Sequence, residues 1–224
     1  MELTTTPRVE LWHALTDEIT HNYSRGRIFL AVDGILGSGT AAFADGLADA
    51  LRERGHETVR ASLTDFAAPR EARERQGADS GHGFYDDEYD EAAFRRLLVE
   101  PFSLAGRPFH TASYDRAAER SLETAPQTAG DDAFCIVDGV FLNRPELHGI
   151  WHYSLYLEVP WAVAYARLQA AGQAPSADPD DPANRRTRKG QDRYLAEVFP
   201  RGVANAIIDN TDDNRPLRVF ADSC

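Results

Sequence analysis

The 224-residue sequence predicts a single α/β domain, a five-stranded parallel sheet with helices on both faces. Three observations carry this prediction. Short unbroken apolar runs alternate with stretches of helical periodicity, the pattern of strands buried on both sides. The composition is that of a globular protein, 42% hydrophobic and 27% charged, and the length suits one domain with a full core. Three of the apolar runs end in acidic or glycine-bearing turns, Asp33-Gly34, Thr64-Asp65 and Asp138-Gly139. A parallel sheet would gather such turns at one crevice beyond its carboxyl edge.

The elements follow in order. Pro7 to Tyr23 carries Val9, Leu11, Trp12, Leu15 and Ile19 at helical spacing, so an amphipathic helix precedes the sheet. Arg27 to Val32 is the first strand. Thr40 to Arg54 puts Phe43, Leu47, Ala50 and Leu51 on one helical face and stops at Gly55. Thr58 to Leu63 is the second strand. Pro69 to Tyr89 is polar and glycine-punctuated, a loop or broken helix, and Asp90 to Glu100 is helical. Ala133 to Phe141 and Tyr153 to Val159 are the third and fourth strands. Pro160 opens a helix through Ala171, a position where its missing N–H costs nothing. Residues 175–190 are rich in Pro, Asp and Arg and are expected to be mobile. A short helix, Gln191 to Phe199, leads to the fifth strand within ANAIIDN. Residues 24–174 and 191–212 make the core of the one domain, and there are no internal repeats.

The stretch AVDGILGSGTAAFADGLADAL, Ala31 to Leu51, carries the clearest chemical signal. A strand, a glycine-rich turn and a helix form the layout of a phosphate-binding loop, G-x-x-x-x-G-K-[ST]. Gly34 and Gly39 fill its two glycine positions, with Gly37 and Ser38 between them. Thr40 stands where the lysine belongs, and Ala41 where the metal-binding hydroxyl belongs. Such a turn leaves backbone N–H groups at a helix N-terminus, and these attract phosphate whatever the side chains are. The lost cation is a large loss. At 4 Å and an effective dielectric near 20, one charge pair is worth on the order of 4 kcal/mol. Acting on a transition state, that is roughly a thousandfold in rate. Thr40 and Ala41 also suit a helix start without any chemistry.

Charge and composition narrow the partners. The formal net charge is -12, which argues against nucleic acid and leaves any anionic ligand to local cations. Lys189 is the only lysine, so a missing loop lysine can be replaced only by an arginine or by Lys189. Cys135 lies in an apolar run and Cys224 is the last residue, so no structural disulfide is expected and a reducing cytoplasm fits. No apolar run has membrane-spanning length, so no membrane partner is expected. His82 and His110 lack metal-ligand spacing, and no zinc site is assigned.

The ordered set of motifs resembles the uridine kinase and phosphoribulokinase group of P-loop kinases. The set comprises VDG-x4-G, S-x-x-D-F after the second strand, GFY-DD, YD, VDGVF, NRRTRKG and IIDNTD, and it runs from about Arg27 to Asp212. The resemblance implies a P-loop NTPase fold and ATP-dependent phosphorylation, with Mg2+, of a nucleoside or similar small alcohol. It implies that Gly34, Gly37, Ser38, Gly39, Thr40 and Ala41 form the nucleotide loop. It makes Asp138 a metal-holding carboxylate, or else a strand-end turn residue. The family's proton-accepting carboxylate lies two residues before the aromatic, which here is Thr64. The neighbouring Asp65 is left as base, metal partner or loop cap. Residues 175–190 match the family's lid, whose cations Arg185, Arg186, Arg188 and Lys189 would close over phosphates, unless they are a solvated cluster. Arg186 is the catalytic candidate among them. Phe84, Tyr85, Tyr114 and Asp115 match the substrate-holding region, although aromatic residues are more often core. The altered positions Thr40, Ala41 and Thr64 imply reduced phosphotransfer, or a non-catalytic nucleotide- or metabolite-binding descendant with a regulatory role.

Overall fold

A computed structural model describes residues 6–220. Cys224 lies outside the described residues, while Cys135 is a buried free thiol whose pKa burial pushes up. The chain opens with α1 (Pro7–Asn22), β1 (Ile28–Gly34), α2 (Thr40–Glu53) and β2 (Glu57–Ser62). A 3-10 turn over Leu63–Phe66 leads to α3 (Arg70–Arg73) and α4 (Gly81–Asp86). Next, α5 (Glu91–Phe94) runs through a π-helical stretch, Arg95–Val99, into α6 (Glu100–Phe102). A two-residue-per-strand hairpin follows, β3 (Tyr114–Asp115) with β4 (Arg120–Ser121). The chain then gives β5 (Ala133–Gly139), α7 (Pro145–His148), β6 (Tyr153–Glu158), α8 (Trp161–Ala170), α9 (Arg185–Val198), α10 (Pro200–Val203), β7 (Ala206–Asp209) and β8 (Leu217–Val219).

The main sheet has the order β2-β5-β1-β6-β7-β8. The five strands predicted from the sequence are all present and mutually parallel. One correction concerns their number. A sixth strand, β8, pairs antiparallel with the edge strand β7. At three residues, Leu217-Arg218-Val219, it is too short for its apolar–polar alternation to stand out as a period.

Strand parity explains the core. Phe29 and Ala31 of β1 and Cys135 and Val137 of β5 face the layer containing α4, α5 and the end of α9. Leu30, Val32, Phe134 and Ile136 face α1 and α2. Alternate residues of one strand therefore go to opposite apolar layers, which is why β1 and β5 read as unbroken apolar runs. β1 lies between β5 and β6, so the connections from it diverge, and the carboxyl ends of β1, β2 and β5 open on a common crevice.

The second correction concerns 175–190. The segment is held around buried Asn184, whose Nδ2 donates to the carbonyls of Ser176 (2.9 Å) and Asp178 (2.7 Å). The helix expected to start at Gln191 starts at Arg185, because no proline or glycine interrupts the run after Pro182 before Gly190, and Gly190 is itself helical. Gly190 packs against Phe84 and the carbonyl of Gly81, where a Cβ would collide.

Candidate functional site

The P-loop backbone has the shape that its glycines allow. Gly37 (φ 81°) and Gly39 (φ 89°) lie in the left-handed region that side chains disfavour. A Cβ on Gly37 would run into the carbonyl of Ala164, so α8 packs directly on the loop. Gly39 is the N-cap of α2 and supplies no side-chain cap. The first-turn N–H groups of α2, from Thr40 onward, are thus left to solvent or a ligand, at the positive end of a 14-residue helix.

These residues line a crevice of about 550 Å³. Gly34, Gly37, Gly39, Thr40 and Ala41 form one wall, and Ser62, Thr64, Asp65, Tyr89, Asp138 and Gly139 another. Arg167, Leu168, Ala171 and Gln173 close a third side. Ser38 is buried behind the loop and does not line the crevice; its carbonyl accepts from Asn210 Nδ2 at 2.7 Å. Asp33, just before the loop, is fully buried. It accepts from Gly34 N (2.8 Å), Asn143 Nδ2 (2.7 Å), the N–H groups of Leu142 and Asn143 (both 3.3 Å) and the Tyr194 hydroxyl. Burial pushes its carboxyl up to about 6 despite these donors. Gln191 Oε1 accepts from Leu36 N at 2.6 Å. α9 therefore grips the loop at two points, Gln191 and Tyr194.

Asp138 is held by protein. Arg60 Nη2 donates to its Oδ1 at 2.7 Å, and Ser62 Oγ donates to its Oδ2 at 3.2 Å. Arg60 and Ser62 share one face of β2, two residues apart, and Ser62 lies opposite Asp138 in the parallel register. Arg60 is itself fixed by Asp45 (2.9 Å) and the Ile136 carbonyl (2.7 Å). Asp65 is exposed to the crevice. Partial burial, then the Asp138 charge, raises its pKa, while Arg60 opposes the rise. The donor set does not fit Mg2+. Ala41 has no hydroxyl, Asp138 already has a guanidinium against it, and among the described residues no group of three or more His, Cys, Asp or Glu is arranged to hold a metal.

The predicted lid cations are elsewhere. Arg186 donates to Glu88 at 2.9 Å and to the Arg73 carbonyl at 3.0 Å, and its guanidinium lies over Phe84. Buried Glu88 also meets Arg116 at 2.8 Å, so Arg186 belongs to a buried charge network. Arg188 pairs with Asp192 and stacks on Trp161 at 4.0 Å. Arg185 and Lys189 border a separate surface cavity of about 410 Å³ with His82, Arg193 and Glu197. None of the four lines the P-loop crevice.

The predicted substrate residues divide in the same way. Phe84 and Tyr85 are buried, edge-on to Phe141 at 5.3 and 5.1 Å, and are core. The Tyr114 hydroxyl donates to Glu119 at 3.0 Å. Asp115 accepts from the N–H groups of Ala117 and Ala118, both at 3.0 Å, forming its own turn, though it lies near enough to raise the Asp65 pKa.

Sequence reading missed Arg60, Asn210 and Arg167. Asn210 follows the carboxyl end of β7, where ligands of parallel sheets bind, and could have been found by that rule. Arg60 lies inside β2 and had no such signal. Arg167 lies two turns into a helix and had no local signal. It reaches the crevice because β6 is the neighbour of β1 and α8 rests on Gly37.

No protein-family model matches the chain, and no curated protein matches it by sequence. Solved structures do match. A protein described as a possible uridine kinase from Bacillus stearothermophilus superposes with a TM-score of 0.68 and 22% identity, over 89% of this chain and 96% of that one. The D-glycerate 3-kinase of Cryptococcus neoformans gives 0.59 and 12%, over 94% and 99%. The chain has the fold of the P-loop kinases, a mainly parallel sheet with its glycine loop after the first strand.

Proposed function

We propose that this protein binds a phosphate-bearing small molecule, a nucleotide first of all, in the P-loop crevice. We further propose that it descends from a uridine kinase-like phosphotransferase whose transfer activity is strongly reduced. One observation carries the reading. The loop has the left-handed glycines of a phosphate-binding motif, and Thr40, Ala41 and Thr64 line the same crevice at the positions where that motif and the resembled family carry a lysine, a hydroxyl and a carboxylate. Binding by backbone N–H groups survives such replacement, whereas stabilisation of transferring charge does not. Arg60 against Asp138 supports binding that does not depend on a divalent ion. A cytoplasmic setting is consistent with the free thiol of Cys135.

A second reading is an active but atypical kinase acting on a nucleoside or similar alcohol. Asp65 favours it, since a carboxylate with a raised pKa facing the crevice can accept a hydroxyl proton. A phosphotransfer assay with ATP, Mg2+ and a panel of nucleosides and small alcohols separates the two. The proposed reading expects no turnover above background from the natural chain. It expects a gain of at least about a hundredfold from the triple variant Thr40→Lys, Ala41→Ser, Thr64→Asp. Ready turnover by the natural chain would establish the second reading. A folded triple variant that binds ATP and transfers nothing would confine the kinase reading to ancestry.

A further inference from the structure

We infer that Arg167 is the phosphate-binding cation of this site, taking over from α8 the place of the lysine that the P-loop lacks. The inference rests on the proposed phosphate binding and names the side chain that makes it possible.

Among the described residues, Arg167 is the one cationic side chain in the lining of the P-loop crevice. Two anionic side chains, Asp65 and Asp138, also face that space, and Asp138 is matched by Arg60 from behind the wall. The guanidinium is held in place. Its Nη2 donates to the carbonyls of Asn210 (3.1 Å) and Thr211 (2.9 Å), beyond the end of β7. Asn210 in turn donates to the Ser38 carbonyl within the loop, at 2.7 Å. Arg167 is thus linked to the P-loop through one residue, and its own helix rests on Gly37. The other terminal nitrogen, Nη1, is shielded from solvent and has no hydrogen-bond partner among the described residues.

A buried guanidinium nitrogen without a partner is costly, and such groups are seldom left unmatched without a reason. Here the reason is a ligand. Arg167 lines the crevice, so a small turn of its guanidinium brings Nη1, which no protein acceptor holds, to a phosphate oxygen there while Nη2 keeps its carbonyls. Guanidinium suits this task, since it stays charged and presents donors in a fixed plane. The lid residues that sequence reading put forward cannot compete, because each is tied to other partners or lines another cavity.

The test is calorimetric titration of the full chain with tripolyphosphate in the presence of EDTA. Four proteins are compared: the natural chain, Arg167→Gln, Thr40→Lys and the double variant. Melting temperatures without ligand are recorded beside them. The inference predicts that Arg167→Gln weakens binding at least about tenfold. It also predicts that Thr40→Lys restores at least tenfold in the Arg167→Gln background. A brace for the turn after β7 would lower the melting temperature but could not be replaced by a lysine on the loop, so failure of this rescue overturns the inference. So does unchanged affinity in Arg167→Gln. Should Arg167→Gln not fold, Thr40→Lys alone decides. A gain below about tenfold supports a cation already in place, and a gain of a hundredfold or more means the place was empty. If the natural chain binds no tripolyphosphate, ADP or ATP, it is the proposed phosphate binding that fails, before Arg167 comes into question.

Discussion

Asp33 and Arg60 show how single residues set the character of this crevice. Asp33 lies near the end of β1 and Arg60 within β2, and each is matched by protein donors or acceptors. For Asp33 the match is incomplete. Its carboxyl rises from 3.8 to about 6, chiefly because it is buried. The folded chain therefore holds a proton that the unfolded chain releases between those values. Stability from this group is fully present below about pH 4 and is lost as pH rises through about 6. The loss is on the order of 3 kcal/mol. Asp33→Asn cannot ionise, so its melting temperature relative to the natural chain should improve steadily from pH 4 to pH 6.5. A constant difference across that range would show that the buried carboxyl does not titrate there. Arg60→Leu makes a separate prediction. It leaves Asp138, 5% exposed, without its counter-charge, and should cost about 3 kcal/mol or more in thermal or urea unfolding. A loss below 1 kcal/mol would mean that solvent, not Arg60, matches Asp138.

Elements explain why side chains far apart in sequence meet. The strand–loop–helix unit β1–α2 was legible from Ala31 to Leu51, because glycines and helical spacing are local signals. The packing of α8 on that loop was not, since it depends on β6 lying beside β1, and no local pattern encodes strand order. This is why Thr40 and Ala41 were named in advance and Arg167 was not. The partners of the lid arginines were not legible for a related reason. An arginine-rich run reads as solvated cations, yet tertiary context turned Arg186 onto Glu88 and Arg188 onto Trp161. The contact of α8 with the loop is testable at Gly37. Gly37→Ala combines a left-handed φ with a collision against the Ala164 carbonyl. It should destabilise by about 2–4 kcal/mol and reduce tripolyphosphate affinity together. Loss of neither would mean that the loop and α8 are not in close contact.

At the scale of the whole molecule, the fold was readable and the chemistry only partly so. Five parallel strands, the helices on both faces and a crevice at their carboxyl ends followed from periodicity and turn residues. The sixth strand is antiparallel and, at three residues, too short to show a period. No described helix is long and apolar enough to cross a membrane. What the sequence alone suggested was a kinase site missing three parts. In the structure the same crevice has Arg167 in its wall, and Arg60 pairs with Asp138 from behind it. On the proposed function, backbone N–H groups and arginine hold the anion without a divalent ion. The most direct test is titration of the natural chain with ATP, once in EDTA and once in excess Mg2+. Binding is expected in both, with dissociation constants within about threefold. Binding that appears only with Mg2+, or tightens a hundredfold with it, would contradict it.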